Sequence, residues 1–157
     1  MYHGQARREA DNSRSVGGLR WVLDGYVVLG ETRILVADDD PDLRLLVRAF
    51  VSRANGEVIE ANTGEEALAL ARERRPDLVL LDLRLPGMNG HAVLTELRSD
   101  PSFSGLPVVV MSAFADQSSI DAALAEGATR YVTKPFDRKH LMGVIADEIR
   151  RASDAAP

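Results

Sequence analysis

The chain contains no cysteine, which excludes disulfides and thiolate-held metals. No apolar run reaches membrane-spanning length, and the N-terminus lacks the apolar core of a signal peptide, so a cytoplasmic protein with no membrane partner is expected. Internal repeats and low-complexity tracts are also missing. The net charge is only -5, so there is no global electrostatic case for nucleic acid binding. His3, His91 and His140 are scattered and suggest neither a metal cluster nor a phosphohistidine site. What remains is an ordinary soluble composition, 45% hydrophobic and 27% charged over 157 residues, enough for one domain with a real core.

The informative stretch is Asp77-Leu78-Val79-Leu80-Leu81-Asp82-Leu83-Arg84-Leu85-Pro86-Gly87-Met88-Asn89-Gly90. An apolar run of strand length ends in one acid, Asp82, before a Pro-Gly breaker and an Asn-Gly pair. Such a run suits a strand buried on both faces of a parallel sheet. An acid at its carboxyl end lies where open α/β sheets place their ligands.

Taken in order, residues 1–18 are polar and aperiodic and read as a disordered arm. Residues 19–29 are too apolar for a free tail. They pack on the domain, pair with another copy, or precede the true start of translation. Arg33-Ile34-Leu35-Val36-Ala37 is a strand running into Asp38-Asp39-Asp40-Pro41, where Asp40 fits an N-cap and Pro41 a first helical turn. Asn55-Gly56 ends that helix, and Val58-Ile59-Glu60-Ala61 is a second strand. Thr63 and Glu66 form a capping box, and Asn89 caps the helix after the central strand. A fourth strand ends at Ser112, a helix runs from about Ser118 to Glu126, and a fifth strand ends at Lys134-Pro135. Asp137 caps the last helix. Five alternations of strand and helix predict a parallel sheet with helices on both faces.

Asp38, Asp39, Asp82, Ser112 and Lys134 then meet at one sheet edge. Three acids in one crevice repel; two unit charges about 4 Å apart cost roughly 4 kcal/mol at an effective dielectric of 20. A divalent cation offsets that, and few, hard oxygen ligands suit Mg2+, with Mn2+ the alternative. Asp82 is then a carboxylate nucleophile toward a phosphoryl group, with Lys134 and the Ser112 hydroxyl on its other oxygens.

These pieces, with Val110-Met111-Ser112-Ala113 and Gly127-Ala128 through Lys134-Pro135-Phe136, resemble the receiver domain of two-component response regulators over roughly residues 32–151. The resemblance implies a flavodoxin-like (βα)5 fold with strand order 2-1-3-4-5, flanked by a partly disordered extension at 1–31 and a flexible tail at 152–157. It implies that Asp82 is phosphorylated by a histidine kinase or a histidine phosphotransfer protein. Asp38 and Asp39 match the cation-binding acids, with Asp39 the direct ligand, and the Arg84 backbone carbonyl matches the third protein ligand beside Asp82. Ser112 and Tyr131 match the switch pair. Lys134 matches the family's lysine, with a cis bond to Pro135. Arg84 and Phe114 occupy the two positions that flank the phosphoryl group and tune its lifetime. The chain is expected to catalyse only its own phosphorylation and dephosphorylation.

No second domain follows Arg151, so the expected output is a stand-alone switch acting on a downstream protein target, with no DNA-binding domain and with a homodimer allowed. The alternatives are a phosphorelay or phosphate-sink intermediate and a phosphorylation-independent binding module. A haloacid-dehalogenase-like phosphatase is disfavoured, because its second catalytic acid is replaced by Arg84.

Overall fold

The computed structural model describes residues 20–22 and 26–156. The polar arm read at residues 1–18 lies outside them. A short antiparallel pair, β1 (Arg20–Val22) and β2 (Tyr26–Val28), precedes the main sheet. The sheet strands are β3 (Arg33–Ala37), β4 (Glu57–Ala61), β5 (Leu78–Asp82), β6 (Val108–Ser112) and β7 (Arg130–Thr133). Between and after them run α1 (Pro41–Arg53), α2 (Gly64–Arg74), α3 (Gly90–Ser99), α4 (Gln117–Ala125) and α5 (Arg138–Ala155). All sheet pairings are parallel, in the order β4-β3-β5-β6-β7. Counting sheet strands alone, that is the expected 2-1-3-4-5 arrangement. Among the described residues no helix is long and apolar enough to cross a membrane.

β5 and β6 are buried at every position because the sheet is covered on both faces. Successive side chains alternate between two cores. Leu35, Ala37, Val79, Leu81 and Val110 face the layer of α2 and α3. Ile34, Val36, Leu80, Val109 and Met111 face α1 and α5. Each fully buried aliphatic side chain contributes about 1.5–3 kcal/mol relative to exposure.

Every helix of the two layers begins just beyond a strand's carboxyl end, under a polar cap. Asp40, Thr63, Asn89, Asp116 and Asp137 each accept a backbone N–H of the helix they start, at 2.7–3.1 Å. Each cap is worth about 1 kcal/mol. At α2 the reciprocal half of the box is shifted: the Glu66 carboxylate accepts the N–H of Asn62 at 3.0 Å rather than that of Thr63. Asn55 and Gly127 take positive φ at the ends of α1 and α4, as their turn signals imply.

Two boundaries differ from the sequence reading. Leu29, placed in the extension, is fully buried among Val51, Ala54 and other residues of the α1–α5 core, and its N–H donates to the Ala54 carbonyl at 2.6 Å. It packs so closely on Gly56 that a Cβ there would lie 2.9 Å from Leu29 Cδ1. The last helix continues through Ala155, into the stretch read as a flexible tail, because nothing in Ala152-Ser153-Asp154-Ala155 breaks a helix.

Candidate functional site

The carboxyl ends of β3, β5, β6 and β7 carry five of the sequence-selected residues, Asp38, Asp39, Asp82, Ser112 and Lys134. Asp38 is fully buried one residue past β3, and Asp82, the last residue of β5, is 7% exposed. Lys134 follows β7, its backbone N–H bound to the Ser112 carbonyl at 2.7 Å. Its Nζ donates to Asp38 Oδ2 at 2.7 Å and to Asp82 Oδ2 at 3.1 Å. The Lys134–Pro135 bond is cis, as the resemblance implied. Asp39 is exposed, and one carboxylate oxygen from each of Asp38, Asp39 and Asp82 lies within 4.8 Å of the others. Among the described residues this is the one group of three such ligands.

The remaining carboxylate oxygens are held by backbone. Asp38 Oδ1 accepts the Asp40 N–H, and Asp82 Oδ1 accepts the Arg84 N–H, both at 2.9 Å. Burial pushes the Asp82 carboxyl above the ordinary carboxylate value, and the charge of Asp38 adds to it. The Arg84 N–H and Lys134 oppose that shift without cancelling it. For Lys134, burial alone would lower the ammonium, but its contacts with Asp38 and Asp82 outweigh burial and raise it.

One ammonium thus faces three carboxylates. The deficit of positive charge, and a donor set made of hard oxygens, fit a divalent cation of the Mg2+ class held by Asp38, Asp39 and Asp82.

The flanking residues form a second layer beside the acids. Ser112 is 5% exposed, and its Oγ accepts the Phe114 N–H at 3.2 Å. The Tyr131 hydroxyl donates to the Phe114 carbonyl at 2.7 Å, with its ring half-buried against the core. The Arg84 guanidinium lies over the Phe114 ring, 4.3 Å from its centre. The two positions singled out for lifetime tuning therefore touch each other. A groove of about 430 Å³ opens between them and α4, lined also by Asn89, His91 and Ser119.

Sequence reasoning missed three supporting residues. Arg44 donates to the Asp38 carbonyl at 2.7 Å and pairs with Glu60 at 3.3 Å, tying α1 to β3 and β4. Arg98 donates to the carbonyls of Gly127, Phe103 and Leu106 at 2.8 Å each. Glu65 accepts the Met88 N–H at 2.9 Å. Each binds main-chain atoms, and those bound by Glu65 at Met88 and by Arg98 at Gly127 are distant in sequence, so side-chain spacing carries no signal for them.

A model of the response regulator receiver domain matches residues 34–146, and the chain belongs to that family. It is 43% identical over 122 residues to the DNA-binding response regulator MtrA of Mycolicibacterium smegmatis, covering 78% of this chain and 52% of that protein. Among solved structures it is similar to the BeF3-activated N-terminal receiver domain of Klebsiella pneumoniae RstA. That match has a TM-score of 0.71 and 26% identity, and it covers 76% of this chain and 99% of that one. It is equally similar to the Vibrio cholerae chemotaxis protein CheY4, with a TM-score of 0.71 and 26% identity, covering 75% and 98%.

The chain spans about half the length of the curated relatives it matches. This corrects the expectation of a stand-alone protein whose partners exclude DNA: the relative is a DNA-binding regulator, and the match is to one half of it. The physical reason is that a receiver folds around its own core. Its sequence therefore carries no trace of what is joined to it.

Proposed function

We propose that the domain takes a phosphoryl group from a phosphohistidine donor onto a carboxylate oxygen of Asp82. The observation that carries this is Lys134 Nζ spanning Asp38 and Asp82 at the ends of three different strands. The donor's P–N bond breaks as a P–O bond to Asp82 forms, and the electron pair of the broken bond returns to the imidazole nitrogen. A Mg2+ ion bound by Asp38, Asp39, Asp82 and the Arg84 carbonyl supplies charge neutralisation for the carboxylates and the phosphoryl oxygens. Asp82 must be ionised to attack, and Lys134 favours that form against the burial that opposes it. Once Asp82 is esterified it no longer competes for the ammonium, which turns to a phosphoryl oxygen. Ser112 Oγ accepts the Phe114 N–H and keeps its own proton, which it donates to a second oxygen. The chain thereby catalyses only its own phosphorylation and dephosphorylation.

Movement of Ser112 toward the phosphoryl group draws on the segment leading to Phe114. That segment is bonded to the Tyr131 hydroxyl, so the groove beside α4 changes shape with the charge on Asp82. The Arg84–Phe114 stack covers the approach of water and lengthens the life of the acyl phosphate. Removing either partner forfeits a contact of about 0.5–1 kcal/mol, so Phe114→Ala and Arg84→Ala speed the decay roughly two- to fivefold. Unchanged decay in both variants defeats this account of lifetime.

The test of the whole reading is intact mass after incubation with acetyl phosphate and Mg2+, beside Asp82→Asn and a chelated control. A phosphoryl adduct requiring both Asp82 and the cation is expected. An adduct that persists in Asp82→Asn overturns it.

A further inference from the structure

We propose that Glu65, at the start of α2, is a positioning residue for the cation pocket, acting by holding the loop that carries Arg84. This rests on the cation-dependent reading above and extends it to a residue outside the acid cluster.

The loop from 83 to 89 joins Asp82 to α3 and presents the Arg84 backbone to the pocket. At its base it is closed by the Gly90 N–H on the Leu83 carbonyl at 3.0 Å. A Cβ at Gly90 would lie 2.3 Å from the Asp82 carbonyl oxygen, so strand end and helix start are in close contact. Leu85 anchors the middle of the loop in the core. Its outer limb is held from α2. The Glu65 carboxylate accepts the Met88 N–H at 2.9 Å and lies over Gly87, where a Cβ would meet its Oε2 at 2.6 Å. Gly87 has φ +70°, and this conformation leaves room for the carboxylate. One residue earlier, the α2 backbone at Gly64 approaches so closely that a Cβ there would lie 1.9 Å from the Met88 carbonyl oxygen.

The start of α2 therefore grips one residue of the loop, Met88, at both of its peptide groups: Gly64 meets its carbonyl and Glu65 binds its N–H. Backbone hydrogen bonds from Glu65's own amide and from Met88 hold the Glu65 carboxyl below its ordinary value, so it stays an acceptor at neutral pH. Glu65 is exposed and contributes nothing to either core, so its partner, not its burial, explains its placement. A ligand fixed by such an outer contact binds its cation more tightly than one on a slack loop.

The experiment compares Glu65→Ala and Glu65→Gln with the wild-type chain in a Mg2+ titration followed by NMR of the Asp39 and Arg84 amides. Exchange of the Met88 amide is read in the same samples. Glu65→Ala is expected to weaken Mg2+ binding about tenfold and to unprotect the Met88 amide. Glu65→Gln keeps a carbonyl oxygen for that N–H and is expected to retain both properties. Equal weakening in the two variants means that charge alone matters and overturns the proposal, as does unchanged affinity in Glu65→Ala. Asp39→Ala serves as the reference for a lost ligand. If the wild-type chain binds no Mg2+, the cation reading itself has failed and the proposal falls with it.

Discussion

The two ends of the same sheet carry charge in different ways. At the amino ends, Arg33 opens β3, Glu57 opens β4 and Asp77 precedes β5. Arg33 Nε lies 3.5 Å from Glu57, Arg74 lies 2.5 Å from it, and Asp77 accepts the Arg33 N–H at 2.8 Å. The Arg33, Arg74 and Glu57 side chains are roughly half exposed, and both arginines pair with Glu57. At the carboxyl ends, three acids share one lysine, and Asp38 and Asp82 are buried. The larger of the two hollows, about 650 Å³, lies at the amino ends; the acid cluster lies at the carboxyl ends. Uncompensated buried charge, not the size of a cavity, marks the site.

Four changes sharpen or break that contrast. Asp82→Asn has the largest effect: complete loss of the adduct by intact mass, whereas Asp77→Asn leaves it in place. Next, Lys134→Ala leaves Asp38 buried with its charge unpaired. It should cost about 3 kcal/mol in urea unfolding without divalent cation, with part of the loss recovered on adding Mg2+. If Lys134→Ala is as stable as wild type in chelator, the acids are not strained by their mutual charge.

The third effect is a slope. With its pKa raised by burial, folded Asp82 keeps a proton that the unfolded chain has already released. Stability of the cation-free protein should therefore fall as pH rises from the ordinary carboxylate value through the raised one, and level off above it. Thermal melts of Asp82→Asn should lack that slope. Asp116, held down to about 2 first by the hydroxyls of Ser118 and Ser119, loses its contribution only on the acid side of this window. The smallest effect belongs to the opposite edge. Glu57→Gln removes exposed pairs and should change stability by about 0.5 kcal/mol or less, and by nothing measurable in high salt.

The site was legible because its members end apolar runs. Asp82 closes Leu78-Val79-Leu80-Leu81, Lys134 closes Tyr131-Val132-Thr133, and parallel connection rules turn the ends of runs into neighbours. Caps were legible for the same local reason, since Thr63 and Asn89 act within a few residues of themselves. The grip of Glu65 on Met88 and of Arg98 on Gly127 was not. Both depend on how closely neighbouring elements of one layer approach, which main-chain contacts decide. Leu29 was ambiguous until its burial beside Gly56 set where the core begins. Arg84 and Phe114 were each identified, but not their contact, because they leave neighbouring strands and only the register of β5 on β6 brings them together.

The distance along the chain between Lys134 and Asp38, 96 positions, has a consequence for synthesis. A chain leaving the ribosome exposes Asp38, Asp39 and Asp82 well before Lys134 has been made. β7 is the sheet's last strand to be translated and lies on its edge, so the lysine arrives after the central strands have had time to pair. Until then Asp38 and Asp82 lack the ammonium that bridges them in the folded domain. If Asp82 takes a phosphoryl group as proposed, a nascent chain would lack the ammonium that the finished site offers, and competence would coincide with completion of the fold.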